Sequence, residues 1–462
     1  MSAKSLFVAS LMGCTALLTP SAAMAQDNAP SVSEELAQMR AAMAAMQSRI
    51  DQLEEQLAES KVQQAETAQT AAAASAAAQA ATQTAEAAKS DTTVKWKGAP
   101  EMESKSGWSF KPRGRLNYDA VAVSAPSSTG HDDGFSTEAR RVRIGASGDV
   151  PGGFGYKLEV NFAENEAEVT DAILTYEDKG LTITAGQHNA FHGLEEMSSS
   201  LFTSFIERTA FTDAFNLQRR IGLSAQYQAG DILLQGGAFT HNMNDDADQQ
   251  GGGDARVVYS PKMGETQLHF GGSFHYTNLD NTDNTVRYRQ RPEVHATSTR
   301  FVDTGNFEAT SETGYGVEAA AIMGPFHVAT EGRWQKVSRP GLADPTFFGG
   351  YVEAGFFLTK GDHRTYKKGI FDRVKPANPV GKGGMGALQV NVRYDYLDLT
   401  DAGIVGGTQN QYDISLIWTP TDHTRLLFGY AHIELDDAVY PTASGSTSYG
   451  VDSFGARAQI DF

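Results

Sequence analysis

From Asp452 to the terminal Phe462, the residues Phe454, Ala456, Ala458, Ile460 and Phe462 alternate with Ser453, Gly455, Arg457, Gln459 and Asp461. Successive side chains of a strand point to opposite faces, so this is a strand with one apolar and one polar face, ending on an aromatic carboxyl terminus. The edge of a soluble sheet has the same look in isolation. Here the strand closes a chain that repeats the dyad pattern and opens with an export signal, which together predict an outer-membrane β-barrel.

Residues 1–25 carry Lys4, an apolar run from Leu6 to Leu18, Pro20, and small residues at Ala23 and Ala25. That is the pattern of a secretory signal cut before Gln26, and the run is too short for a membrane anchor. Cys14 is the only cysteine and lies inside the signal, so no disulfide or thiol chemistry is expected in the processed chain. Leu11-Met12-Gly13-Cys14 has the outline of a lipobox, but Met12 fits it poorly and the apolar run continues past Cys14. Downstream no apolar run reaches the about 18 residues that a spanning helix needs. The 46 glycines, 24 phenylalanines and 16 tyrosines suit strands with one apolar face. A net charge of −18 disfavours nucleic acid as a partner. It does not set the selectivity of a pore, which depends on the few charges at its constriction.

Apolar residues at Val32, Leu36, Met39, Met43, Met46, Ile50, Leu53 and Leu57 follow alternating steps of four and three, a heptad seam. The register continues through Ala71, Ala74, Ala78, Ala81, Ala85 and Ala88, with strong helix propensity but little apolar area. Residues 26–90 are therefore read as a periplasmic α-helical coiled-coil segment, with a solitary helical spacer as the alternative. Mixed Met, Ile and Leu at the seam leave the strand number open. Residues 91–106, with Gly98 and Pro100, read as a linker to a barrel spanning 107–462.

Within that span, Leu116, Tyr118, Ala120 and Ala122 alternate with Arg115, Asn117 and Asp119. Tyr156, Leu158, Val160 and Phe162 alternate with Lys157, Glu159 and Asn161, and Val390, Val392 and Tyr394 with Gln389, Asn391, Arg393 and Asp395. The first set is expected to face lipid and the second the lumen. Tyr394, Tyr396, Trp418, Phe428 and Tyr430 suit the interfacial girdles. Tight turns such as 420–423 alternate with long Gly/Asp-rich stretches such as 242–254. About 355 residues at roughly twenty per strand and connection give about sixteen antiparallel strands, an all-β fold.

The motifs Ala139-Arg140-Arg141-Val142-Arg143, Gly186-Gln187 to Gly193-Leu194-Glu195, Phe205-Ile206-Glu207-Arg208 and Arg219-Arg220-Ile221-Gly222 follow one another in order. Further on come Phe357 to Tyr366, Phe371, Lys375-Pro376, Val392 to Leu399 and the run from Trp418 to Phe462. With these motifs the chain resembles the phosphate-selective porins O and P over nearly all of Trp108–Phe462. The resemblance implies a homotrimer of sixteen-stranded barrels whose third loop folds into the lumen and forms the constriction. It also implies small anions such as phosphate as solutes. One departure stands out: those porins rely on lysines at the constriction, whereas 186–216 holds no lysine and carries Glu195, Glu196 and Glu207 against Arg208.

A passing oxyanion needs cations to replace its hydration, and arginine does this with a planar, permanently charged fork. Arginines two apart share one face of a strand, as at Arg113 and Arg115, Arg141 and Arg143, and Arg287, Arg289 and Arg291. Such rows form an anion ladder, or pair with luminal carboxylates such as Asp119, Glu159 and Glu177 and stabilise the wall. Arg287 to Arg291 lie beside Asp280, Asp283 and Asn284, the setting of an extracellular loop. In the expected third loop, 186–220, Glu207 and Arg208 are read as an ion pair, with Arg219 and Arg220 returning to the wall. Arg393 in its strand is a further pore-lining candidate. Lys360, Arg364, Lys367, Lys368, Arg373, Lys375 and Lys382 face only Asp362 and Asp372, the strongest basic focus in the chain. They line the pore or form an outside loop that meets lipopolysaccharide phosphate.

An enzyme is disfavoured: no spacing singles out a nucleophile and base, and His188, His192 and His241 read as loop residues. No metal-ligand spacing, phosphate-cradling loop or dinucleotide fingerprint occurs, so no metal or cofactor is expected. The alternatives to an anion-preferring porin are a general porin and an envelope tether. As a tether, a helix of about 60 residues would reach roughly 90 Å across the periplasm.

Overall fold

The computed structural model describes residues 32–89, 92–131, 133–163, 166–245, 250–279 and 285–462. The expected signal with Cys14, and Asp280, Asp283 and Asn284, lie outside them. No helix among the described residues is long and apolar enough to cross a membrane.

One unit is the helix α1 (Val32–Lys89), 58 residues long. Met39, Met43, Met46, Ile50, Leu53 and Leu57, the described seam residues from Met39 on, are all exposed on it.

The second unit is the barrel. Its strands are β1 (Ser109–Ser124), β2 (Gly134–Val150), β3 (Phe154–Asn161), β4 (Glu168–Asp178), β5 (Leu181–Asn189), β6 (Arg219–Ala229), β7 (Ile232–Phe239) and β8 (Gly251–Tyr259). They continue as β9 (Thr266–Asn278), β10 (Ser311–Met323), β11 (Phe326–Ser338), β12 (Thr346–Phe357), β13 (Ala387–Asp401), β14 (Ile404–Thr421), β15 (Thr424–Asp436) and β16 (Tyr449–Asp461). Each pairs antiparallel with the next, and β16 pairs with β1 from Asp452↔Ser124 to Asp461↔Arg115, closing a 16-stranded barrel without a free edge. Phe462 and Gly114 exchange backbone hydrogen bonds at the seam, at 3.0 and 3.1 Å. A Cβ on Gly114 would lie 2.1 Å from Cζ of Phe462, so only glycine lets the terminal ring lie across the seam.

The dyad pattern predicts the faces correctly. Tyr118, Leu158, Val392, Ile414 and Phe454 are exposed on the outer face, whereas Asn117, Glu159, Arg393, Asp413 and Arg457 are buried within. In the segment expected to link helix and barrel, Thr92–Lys97 and Ala99–Ser104 form a hairpin whose second strand pairs with the start of β1.

Short turns occupy one rim, together with Ser109 and the chain end, and longer connections occupy the other, apart from the two-residue turn Ala402-Gly403 there and one long connection among the short turns. Residues 358–386 join β12 to β13 at the rim of short turns and bend back into the barrel. There Phe371 is buried and its backbone N–H donates to Ser198 Oγ at 3.2 Å. The basic cluster therefore lies at the rim of short turns, which in such barrels is the periplasmic one.

Candidate functional site

The connection between β5 and β6, residues 190–218, is the third loop on the long-loop rim and folds into the lumen. Its anchors are mostly backbone groups met by wall side chains. The N–H groups of Leu194 and Glu195 donate to Glu331 at 2.9 and 2.7 Å, satisfying the start of the short helix α2 (Leu194–Met197). Ala210 N–H, in the helix α3 (Ala210–Ala214), donates to Asp395 at 2.8 Å, and Ser415 Oγ donates to the Ser204 carbonyl at 2.6 Å. Arg457 donates to the Ile206 carbonyl at 2.5 Å. Glycines on the wall make room for the apolar anchors. A Cβ on Gly349 would come within 2.4 Å of Phe211 Cβ, and one on Gly455 within 2.1 Å of Ile206 Cδ1.

These contacts fasten the loop to β11–β16 and leave the passage beside β1–β6. The fifth long loop, 279–310, also folds inward. Glu293 meets Arg393 at 2.8 Å, and Ser453 Oγ donates to the Pro292 carbonyl at 2.6 Å. Arg287 and Arg289 stand exposed on this loop, in keeping with the extracellular setting expected for them. Arg287 is clamped by Asp303, and Arg291 pairs with Asp213 of the third loop at 3.4 Å.

Two cavities lie along the passage. The one towards the long-loop rim, about 330 Å³, is lined by Arg140, Arg141, Arg143, Arg208, Arg219 and Arg291 together with Glu168, Glu196, Glu207, Asp213 and Glu293. The one towards the short-turn rim, about 460 Å³, is lined by Lys97, Lys111, Arg113 and Lys157 with Glu101 and Asp149. Arg115 stands opposite Arg143 in the register and lies between the two.

The arginines divide into paired and unpaired groups. Arg143 meets Glu159 at 3.1 Å and Arg219 meets Asp171 at 3.3 Å. Arg393, fully buried, is enclosed by Asp413, Glu293 and Asp395 at 2.7, 2.8 and 3.7 Å, with its guanidinium 4.3 Å from the Phe205 ring. It is a strut and offers nothing to a solute. Arg141 touches only Glu207, at 3.6 Å, and its Nη1 has no hydrogen-bond partner among the described residues. Arg115 bonds two neutral hydroxyls of the third loop, Ser200 at 2.8 Å and Ser199 at 3.4 Å. Among the described residues neither Arg113 nor Arg115 has a carboxylate within 4.0 Å. A guanidinium held by neutral groups keeps its field for a passing anion.

The expected pair of Glu207 with Arg208 does not form, because wall arginines take the carboxylate and loop groups take the guanidinium. Glu207 is instead bound by Arg140 at 2.9 Å and Arg457 at 2.8 Å, while Arg208 meets Glu196 at 3.4 Å and the carbonyls of Glu195, Glu196 and Ser198. Burial raises the Glu207 carboxyl, but Arg140, Arg141 and Arg457 outweigh it and hold the group well below the usual carboxylate range. Glu196 is shifted the other way: burial pushes its carboxyl up, and Arg208 offsets only part of that.

Of the basic focus, Lys360, Lys367, Lys368, Lys375 and Lys382 are exposed at the short-turn rim, with Lys368 3.9 Å from Glu177. Arg373 is tied to Asp461 of β16, and Arg364 is buried 4.4 Å from the Phe371 ring. The arginines build the inward fold of 358–386, and the lysines stand exposed on it. Arg220 turns away from the passage, towards Thr240 and Thr277.

Residues 110–462 match the phosphate-selective porin O and P family. The chain belongs to that family. It is also 40% identical, over 98% of its length and 95% of the relative's, to an uncharacterized protein of Caulobacter vibrioides. Among solved structures, a loop-deleted form of OmpT, an outer membrane protein of Vibrio cholerae, aligns with a TM-score of 0.51 at 11% identity. It covers 77% of this chain and 100% of that one. A trimer form of OmpT aligns with a TM-score of 0.50 at 10% identity, over 77% and 100%. At such identities the likeness is one of fold. Family and fold together make this member of the porin O and P family an outer-membrane porin for the diffusion of small solutes.

Sequence reasoning missed two things about the site. Arg140, adjacent to the expected Arg141, is the main partner of Glu207, and Lys111 extends the row of Arg113 and Arg115 to the short-turn rim. The period-two pattern already put Lys111 on that face. For Arg140 no local signal exists, since its partner lies in the third loop.

Proposed function

We propose that this porin prefers anions and that small oxyanions, phosphate among them, use the face formed by Arg141, Arg115, Arg113 and Lys111. The observation that carries the reading is the pairing pattern. Neutral serines hold Arg115, and no carboxylate compensates Arg113, at the point where the two cavities approach one another. The exposed lysines at the short-turn rim extend the same field to the exit.

The carboxylates Glu168, Glu196 and Asp213 in the outer cavity favour a broad rather than phosphate-exclusive range. Reconstitution of the processed protein in a planar bilayer under a potassium chloride gradient tests this. A chloride-favouring reversal potential, reduced in Arg115→Gln and with current blocked by phosphate, is the expected result. A near-zero or cation-favouring potential leaves a general porin.

A homotrimer is the assembly supported by the trimer form of the OmpT fold relative and by the uncovered seam of α1. In this reading α1 lies in the periplasm as a three-stranded coiled coil, which also gives it the reach of a tether.

A further inference from the structure

A second chamber of about 220 Å³ lies across residues 216–218 from the outer cavity of the passage; those residues line both. His192 of the third loop and His275 of β9 stand on its wall and meet Asp254 of β8 behind them; all three are buried, with their ligand atoms within 4.8 Å of one another. His275 Nδ1 is 2.7 Å and His192 Nδ1 3.5 Å from Asp254 Oδ1. Neither His192 Nδ1 nor Asp254 Oδ2 has a hydrogen-bond partner among the described residues. Burying two such atoms without partners costs folding free energy, part of which an ion bound by His192 and the Asp254 carboxylate would return.

The geometry fits a small tetrahedral ion. With bonds of about 2.0–2.1 Å, neighbouring ligand atoms sit about 3.4 Å apart. The His192 to Asp254 separation already has that value, and the His275 to Asp254 contact needs to open by about 0.7 Å as the ion replaces the bridging proton. The neutral ring keeps its single proton, which shifts through water from Nδ1 to Nε2, where Thr277 Oγ1, 3.2 Å away and held by Arg220 at 2.8 Å, accepts its hydrogen bond. The chamber supplies water as a fourth ligand and a route to the ion. Arg333, buried beside the group and donating to the His192 carbonyl at 3.4 Å, repels a dication. The ion is therefore exchangeable rather than permanently held.

We propose that His192, Asp254 and His275 form a binding site for a divalent transition-metal ion of the zinc class, joining the third loop to β8 and β9. Untagged processed protein, treated with chelator and titrated with Zn²⁺ by calorimetry, is expected to take up one ion per protomer and to unfold at a higher temperature with it. His192→Gln and His275→Gln should each weaken uptake by about tenfold or more, with His241→Gln unchanged. Co²⁺ added to the wild-type protein is expected to give the visible absorption of a four-coordinate site, a readout that needs no variant to fold. Absence of Zn²⁺ uptake, uptake unchanged in both histidine variants, or a featureless Co²⁺ spectrum overturns the proposal and leaves a His–Asp hydrogen-bond clamp.

Discussion

Glu207 of the third loop lies 2.8 Å from the Arg457 guanidinium on β16, which also holds Asp119 of β1 at 2.6 Å. One guanidinium thus joins the barrel's closing strands to the loop that narrows its lumen. Glu207→Gln leaves Arg140, Arg141 and Arg457 without their shared anion. Removing one member of a buried charge cluster costs about 3 kcal/mol, so the variant should unfold at lower temperature in detergent. It should also favour anions more strongly in reversal-potential measurements, since one negative charge shared by three cations is lost and, among the described residues, only Arg457 keeps a second partner, Asp119.

Glu196 lines the outer cavity, and its carboxyl is raised above the ordinary range by burial. The folded protein then holds this proton more tightly than the unfolded chain. Through this group, stability falls as pH rises from the ordinary carboxylate range through the raised value, and is regained on acidification. Over the same window protonation removes a negative charge from the passage. Anion conductance is expected to rise as pH falls through that window, and Glu196→Gln should flatten the slope. An unchanged slope in the variant removes Glu196 from the explanation.

Gly349→Ala places a methyl group where Phe211 Cβ stands, a contact that only movement of the α3 backbone relieves. Overpacking of this kind costs about 1–3 kcal/mol, enough to loosen the third loop without opening the barrel. Single-channel conductance should grow and become noisier, while resistance of the barrel to heat in detergent is largely kept.

Deletion of 32–89 removes the exposed seam and leaves the hairpin at 92–104 in place on β1. Reversal potential should be unchanged, because the passage is lined by barrel residues and Lys97 is retained. If α1 holds the assembly together, the deletion lowers the temperature at which trimers dissociate on gels.

The helix, the count of about sixteen antiparallel strands and the facing of the residues in the alternating runs were legible in the sequence. Steps of four and three require one face of a helix, and alternation requires two faces of a strand; both follow from backbone geometry within a few residues. Hence α1 runs from Val32 to Lys89 as the seam indicates, and Tyr118 and Asn117 turn to opposite faces.

What the tertiary structure alone decided is which charges cancel. Arg143 and Arg393 look alike along the chain to Arg115 and Arg113. Only closure of the barrel brings Glu159 to one and Asp413 and Glu293 to the next, and leaves Arg115 with two serines. The folding back of 358–386, the attachment of Glu207 to Arg140 and Arg457, and the meeting of His192 with Asp254 and His275 are of the same kind. Each joins segments far apart in the chain across a lumen whose filling is set by long-range packing and charge, and no local periodicity encodes that.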